Sequence, residues 1–169
     1  MQIAKELKEK SVCEYLLYMW QVEDTLRAYG CDIDRIVSEY VSRFPSDQQA
    51  EEAKWLGYLV DMMREEGVIE KGHLQMNKGT LSLLTDKHLE LLNNPKQSEY
   101  TAAYYRALPF IVELRAHGDK EKSELETCLE ALYGVMLLRM QKKEVSEETN
   151  RALKHISDML RLLTTIKEV

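Results

Sequence analysis

The chain of 169 residues has a net charge of −6, with 44% hydrophobic and 31% charged residues. This length and balance are typical of one folded domain, so we expect a single domain over residues 1–169. The acidic net charge disfavours nucleic acid and anionic membranes as partners, because both are bound through basic surfaces.

The cysteines and the apolar segments indicate where the protein works. Cys13, Cys31 and Cys128 are odd in number and far apart, which predicts neither a disulfide framework nor a CxxC zinc or redox pair. Residues 1–8 lack the apolar core of a signal peptide, and the longest apolar run, 131–138, is far shorter than a membrane span. We therefore expect a cytoplasmic protein with reduced thiols.

The first half of the chain shows helical periodicity. Apolar residues surround the segment from Lys8 to Tyr29 almost completely, which predicts a first helix that is central in the fold. Asp32 is a predicted cap for a short second helix. Ser46 and Gln49 form the capping-box pattern that opens a third helix.

A glycine-rich loop and four further helices follow. Residues 67–79 contain three glycines and are predicted to be the least regular stretch, and the fourth helix begins after them. The fifth helix contains Pro109, where it is expected to kink or restart. Ser123 and Ser146 are predicted caps of the sixth and seventh helices, and the apolar run 131–138 predicts that the sixth is also central.

No segment sustains the alternation of a strand, so the fold class is all-α. Short connections between long amphipathic helices favour a compact bundle of six to seven mostly antiparallel helices, with no sheet.

Polar residues near the end of the first helix form the first candidate site. Helical spacing places Glu23 on an apolar stripe, beside Asp24 and four residues before Arg27. The functional interpretation is a charged floor of a pocket between helices. The alternative, which we favour, is an ion pair at the end of the bundle.

Three arginines fall at or near apolar faces of separate helices, namely Arg64, Arg115 and Arg139. A guanidinium holds carboxylates and phosphates in two-point contact, so these residues are candidates for binding an anionic ligand. Acidic residues are plentiful in the chain, and pairing of the arginines within the protein is the favoured alternative.

The loop supplies His73 and Gln75, polar residues close to a glycine turn. The alternative is that Gly72 only permits a bend and that His73 starts a helix. Glu70 and His73 have the Glu-x-x-His spacing of di-iron bundles, but no second such motif exists, so neither a metal nor another cofactor is expected. Motifs for nucleophilic catalysis, phosphate loops and dinucleotides are also absent from the sequence.

Four blocks of the sequence carry a resemblance to a known family. They are Tyr15–Asp24, Glu66–Gln75, Leu108–Ala116 and Glu126–Arg139. In these blocks the chain resembles a family of short bacterial proteins described only as a domain of unknown function. The resemblance spans nearly the whole chain and implies a cytoplasmic bacterial protein, but it supplies no activity and no catalytic residue.

Two functional hypotheses follow from the sequence. The first is a non-catalytic helical interaction or regulatory protein that acts through a protein partner or through self-association, for example as a homodimer. The second is a protein or enzyme that binds a small anionic ligand. The residues predicted to line its pocket are Glu23, Asp24, Arg27, Arg64, His73, Gln75, Arg115 and Arg139.

Overall fold

The computed structural model describes residues 1–167, and within them the chain forms helices and no strand. The all-α class is therefore confirmed. Eight α-helices are present in this part of the chain, slightly more than the six to seven predicted. They are α1 (Gln2–Lys10), α2 (Val12–Ala28), α3 (Ile33–Arg35), α4 (Gln49–Glu65), α5 (Gln75–Asn93), α6 (Ser98–His117), α7 (Glu124–Met140) and α8 (Glu147–Thr165).

The additional helix arises at Ser11, inside the segment that was predicted to be one helix. Ser11 has an extended backbone, with φ −156° and ψ 107°, and separates α1 from α2. Its side chain accepts a hydrogen bond from the Glu14 N–H at 3.3 Å and so caps the start of α2. A serine that satisfies a free helical N–H makes a helix start favourable at this position.

The region between α2 and α4 is only partly as predicted. The Asp32 cap is confirmed, because its side chain accepts from the N–H groups of Asp34 and Arg35 at 3.0 and 3.3 Å. Helix α3 continues as a π-turn (Ile36–Tyr40) and a 3-10 turn (Val41–Arg43).

The predicted capping box at Ser46 is wrong. Helix α4 begins after Gln48 without a side-chain cap. The Gln49 side chain instead donates to the carbonyl oxygens of Phe44 and Ser42, at 2.8 and 3.3 Å. Gln49 is therefore engaged by the preceding turn and cannot reach a cap residue.

The start of α5 differs from the start predicted for the fourth helix. The predicted start of the fourth helix after Gly79 is wrong, because α5 begins at Gln75. The Glu66 carboxylate accepts a hydrogen bond from the Gln75 N–H at 2.7 Å and stabilises that earlier start.

Helix α6 runs through Pro109 without restarting. The caps at Ser123 and Ser146 are confirmed, with hydrogen bonds of 3.1 and 3.2 Å.

The chain divides into two compact units, residues 1–80 and the part from Leu81 onward, with the boundary inside α5. In unit 1, α2 buries eight of its side chains, in agreement with its predicted central place. In unit 2, α6 packs most extensively along α8. The apolar stripe of α8 is buried, through Leu153, Ile156, Leu160 and Leu163.

The predicted central position of the apolar run on α7 is wrong. Only Val135 is buried between Ala131 and Leu138, and Leu138 is exposed. The N-terminal half of α7 is the buried half, through Leu125, Cys128 and Leu129. The run lines an open groove, so its apolar character does not reflect burial.

Two further properties concern the described part of the chain as a whole. The three cysteines are buried there, and none forms a disulfide. None of the helices within residues 1–167 combines the length and the apolarity needed to cross a bilayer.

Candidate functional site

A buried carboxylate, Glu23 on α2, is the centre of the polar cluster in unit 1. Its side chain is 0% exposed. Oε1 accepts hydrogen bonds from the Leu74 N–H at 3.0 Å and from the Asn77 side-chain amide at 2.7 Å. Oε2 lies 2.7 Å from His73 Nδ1. A buried carboxylate is tolerated only when donors surround it in this way.

One helical turn after Glu23, Arg27 of α2 contacts the glycine-containing loop that precedes α5. The guanidinium of Arg27 donates to the carbonyl oxygen of Val68 through Nε and Nη2, at 3.3 and 3.1 Å, and also to that of Gly72. Its Nη1 donates to Asp24 at 2.7 Å. Gly72 has φ +93°, a conformation that favours glycine. Glu23 and Arg27 therefore fasten both ends of residues 68–77 to α2.

His73 fits between this cluster and an aromatic ring. It stacks on Trp20, with ring centroids 4.5 Å apart and 18° between the planes. Burial raises the pKa of the nearby Tyr15 hydroxyl, and the charge of Glu23 raises it further. The Asn77 Oδ1 atom is buried and has no hydrogen-bond partner.

A carboxylate beside a histidine is a combination used in acid–base catalysis and in metal binding. Here the Glu23 carboxylate contacts the His73 ring, the Leu74 N–H and the Asn77 side chain. Its oxygen atoms are therefore already engaged by the loop and the start of α5. Groups of three or more His, Cys, Asp or Glu side chains suited to a metal ion are absent from the described residues. The arrangement is suited to positioning the loop.

Two other candidate site residues of unit 1, Arg64 and Gln75, form hydrogen bonds with other residues of the chain. Arg64 is exposed, and its Nη2 donates to the Cys31 carbonyl oxygen at 2.8 Å. Burial raises the pKa of the Cys31 thiol, which Arg27 and Arg64 partly oppose. Gln75 is exposed in the first turn of α5, with its N–H on Glu66.

Arg115 and Arg139 belong to unit 2, and each donates a hydrogen bond to a neutral acceptor. Arg115 donates to the Lys120 carbonyl oxygen at 2.9 Å, while its Nε is buried without a partner. Arg139 is exposed and donates to the Asn150 side chain at 2.9 Å. The structure thus brings Glu23, Asp24, Arg27 and His73 into one cluster of unit 1. The role of the eight residues in binding a ligand stays a prediction.

Unit 2 has its own buried polar network, around His88. His88 Nδ1 lies 2.6 Å from the Tyr100 hydroxyl, and its Nε2 lies 3.8 Å from Glu124. The Tyr104 hydroxyl donates to the same Glu124 oxygen at 2.9 Å. Burial lowers the pKa of His88, although Glu124 opposes this shift. Burial and the bond to Glu124 raise the pKa of Tyr104 to about 12.

The second feature of unit 2 is an apolar groove of about 500 Å³ between α6, α7 and α8. We call it the α6–α8 groove. Its apolar wall is formed by Phe110, Leu114, Ala131, Gly134, Val135, Leu138, Ala152, Leu153 and Ile156. Its polar lining residues are Glu113, His117, Glu130, Glu148 and Thr149, and no Lys or Arg side chain is among them.

The groove is a feature that sequence reasoning missed. The apolar run 131–138 predicts a buried helix, because apolar residues on most sides of a helix usually indicate burial. Gly134, in the middle of that run, is a signal against this interpretation. A Cβ built on Gly134 meets no atom within 4 Å, so the glycine faces open space. Trp20 and Asn77 were also not predicted as members of the Glu23 cluster.

The described residues 1–167 form helices and no strand, which defines an all-α protein. The chain belongs to the family described as Domain of unknown function (DUF4924), whose profile matches residues 1–168. This confirms the family resemblance seen in the sequence. Neither a curated protein nor a solved structure matches the chain.

Proposed function

We propose that the protein is a cytoplasmic, non-catalytic helical interaction protein of bacteria, and that the α6–α8 groove binds an amphipathic helix of a partner protein. The observation that carries the proposal is the groove itself, an apolar trough between helices of unit 2. The bacterial and cytoplasmic parts of the proposal rest on the family resemblance and on the sequence. The expected single domain and compact antiparallel bundle are part of the same proposal.

The lining of the groove supports a helical occupant. Amphipathic helices bind to such grooves by inserting apolar side chains spaced three or four residues apart, while their polar face stays in water. The wall offers apolar contacts along three helices, and the polar residues lie among them on the exposed side, at Glu113, His117 and Glu148.

The charge of the lining supports a basic partner. Three glutamates and no Lys or Arg line the groove. Glu130 is paired with Lys122, whereas no ion pair within residues 1–167 involves Glu113 or Glu148. Lysine or arginine side chains that flank the apolar face of the partner helix therefore meet unpaired carboxylates. Such pairs raise the association rate and select against acidic helices.

A synthetic peptide tests this proposal directly. The probe is a fluorescent peptide of about 18 residues, with leucines on one helical face and lysines elsewhere. Two control peptides replace the lysines by glutamates or scramble the order of the leucines. We expect the chain to bind the probe at least about tenfold more tightly than either control, as measured by fluorescence anisotropy.

The chain offers a matched pair of variants for this experiment. Gly134→Leu fills the groove, whereas Gly79→Leu makes the same change on α5, where a Cβ also meets open space. Binding of the probe should fall by about tenfold or more in the first variant and remain in the second. Equal binding of all three peptides, or no effect of Gly134→Leu, would contradict the proposal. Binding of a small apolar dye alone, lost in Gly134→Leu, would assign the groove to small molecules instead.

The anionic-ligand hypothesis has less support. Arg27 and Arg64 direct N–H groups at main-chain carbonyl oxygens, and Arg139 donates to an amide. Each of these contacts reduces the number of donors that remain for a phosphate or carboxylate. We therefore retain the hypothesis as a prediction and propose the groove as the functional surface.

A further inference from the structure

A second apolar surface lies on the outer face of α6. Five exposed residues follow one another there at alternating spacings of three and four, which is the spacing of a helix seam that contacts another helix. They are Ala102, Tyr105, Pro109, Val112 and Ala116. We call this set the α6 stripe. It extends for about 21 Å along the helix.

The α6 stripe points away from the core of its own unit. The buried residues of α6 are Tyr100, Ala103, Ala107 and Ile111, and helical spacing places them on the opposite face. Tyr105 and Val112 remain 63% and 59% exposed. Single exposed apolar residues are ordinary, but five in helical register form a continuous unpartnered face.

Two charges beside the stripe indicate what covers it. Arg106 and Glu113 are seven residues apart on the same flank, and both are exposed. No ion pair within residues 1–167 involves either residue. Opposite charges placed symmetrically about the middle of a stripe are self-complementary when a second copy lies antiparallel across it, as an isologous two-fold interface requires.

We propose that α6 forms a homodimer contact, in which the stripes of two copies pack antiparallel about a two-fold axis near Pro109. This register sets Ala102 against Ala116 and Tyr105 near Val112 of the second copy. Arg106 of each copy then lies beside Glu113 of the other, so two intermolecular ion pairs flank the apolar contact.

The surroundings of the stripe favour a second copy over other occupants. A shallow cavity of about 400 Å³ adjoins its N-terminal end and is lined in part by Leu92, Pro95, Ala102 and Tyr105. This cavity extends the apolar surface to the position that the C-terminal end of the second copy's α6 occupies in the proposed dimer. Glu99 and Glu113 stand beside the stripe, which disfavours an anionic lipid surface.

The oligomeric state of the full chain tests the proposal. By sedimentation velocity at micromolar concentration, we expect the wild type to be a dimer. Val112→Ser should weaken the dimer by at least about tenfold, because it removes apolar contact twice in each dimer. Leu83→Ser is the control, since Leu83 is 72% exposed but lies on α5 outside the stripe. It should leave the dimer intact.

A charge exchange tests the antiparallel register. Arg106→Glu and Glu113→Arg each place like charges opposite one another and should each weaken the dimer by about tenfold. The double variant restores opposite charges and should recover most of the wild-type affinity. Recovery supports the register, and absence of recovery overturns it.

Glu113 also lines the α6–α8 groove, so the charge exchange is judged by the dimer alone, and Val112→Ser is the variant that separates the dimer from the groove. A monomeric wild type, or a dimer indifferent to Val112→Ser, would overturn the dimer without affecting the peptide experiment. Gly134→Leu should leave the dimer intact, and Val112→Ser should leave peptide binding intact. Circular dichroism of each variant confirms that a lost dimer does not reflect a lost fold.

Discussion

The cluster around Glu23 in unit 1 and the α6–α8 groove in unit 2 use side chains in opposite ways. In the cluster, Glu23 and Arg27 hold a glycine-containing loop against α2 through hydrogen bonds. In the groove, apolar side chains line an open trough, and Glu113 and Glu148 stand beside them without ion pairs within the described residues.

Polar residues that lie together are not by themselves a sign of a binding site, because they can bond to one another. Polar groups that are buried and mutually satisfied contribute to stability, and they leave few donors or acceptors for a ligand. An apolar surface left exposed costs stability and solubility, so it is the better indicator of an interaction surface.

We expect the greatest loss of stability from a substitution at Glu23, the centre of the cluster. Glu23→Ala removes the acceptor of three donors in a buried position and should lower the free energy of unfolding by about 3–5 kcal/mol. Urea unfolding followed by tryptophan fluorescence reports on unit 1, because both tryptophans, Trp20 and Trp55, precede residue 81.

The control is Glu14→Ala, an exposed glutamate on the same helix, with an expected loss below about 1 kcal/mol. A loss for Glu23→Ala no larger than that of the control would contradict the stabilising role of Glu23. Circular dichroism on the same samples reports on both units. Coincident transitions would support the single domain over residues 1–169, whereas separate transitions would indicate independent unfolding.

The second prediction uses one substitution in both regions. Gly72 has φ +93°, and an added Cβ would lie 3.4 Å from Val68, so Gly72→Ala should cost about 1–2 kcal/mol of stability. Gly134 is helical and faces open space, so Gly134→Ala should gain up to about 1 kcal/mol. Urea unfolding measures both values. Changes of the same sign at the two positions would mean that the loop and the groove do not differ in the way described.

The third prediction concerns the polar network of unit 2. Because burial lowers the pKa of His88, the folded state binds fewer protons than the unfolded state below about pH 6.5. The free energy of unfolding should therefore fall as the pH drops below that value, by at most about 1.4 kcal/mol per unit from this residue. His88→Gln should show a weaker pH dependence in urea unfolding at pH 7.5 and 5.5. An equal pH dependence of the two proteins would show that His88 does not contribute.

Much of the helix map followed from local signals. The caps at Asp32, Ser123 and Ser146 are confirmed because a side-chain oxygen two or three residues before a free N–H acts within one turn. The errors at Gln49 and Gln75 arose where a side chain bonded across a turn or a loop. Such a bond depends on how the chain returns to itself, which local periodicity does not encode.

Periodicity and four blocks of the sequence were enough to predict an all-α protein of a known family, and to single out Glu23, Asp24, Arg27 and His73 as candidate site residues. Only the folded structure shows which groups these residues contact, because the buried Glu23 carboxylate is satisfied by donors far along the chain, such as Leu74 and Asn77. It also shows that the apolar run on α7 lines a groove. The hydrophobicity of a segment shows that its surface is more stable away from water. Only the packing of the folded chain shows whether other residues of the same chain bury that surface.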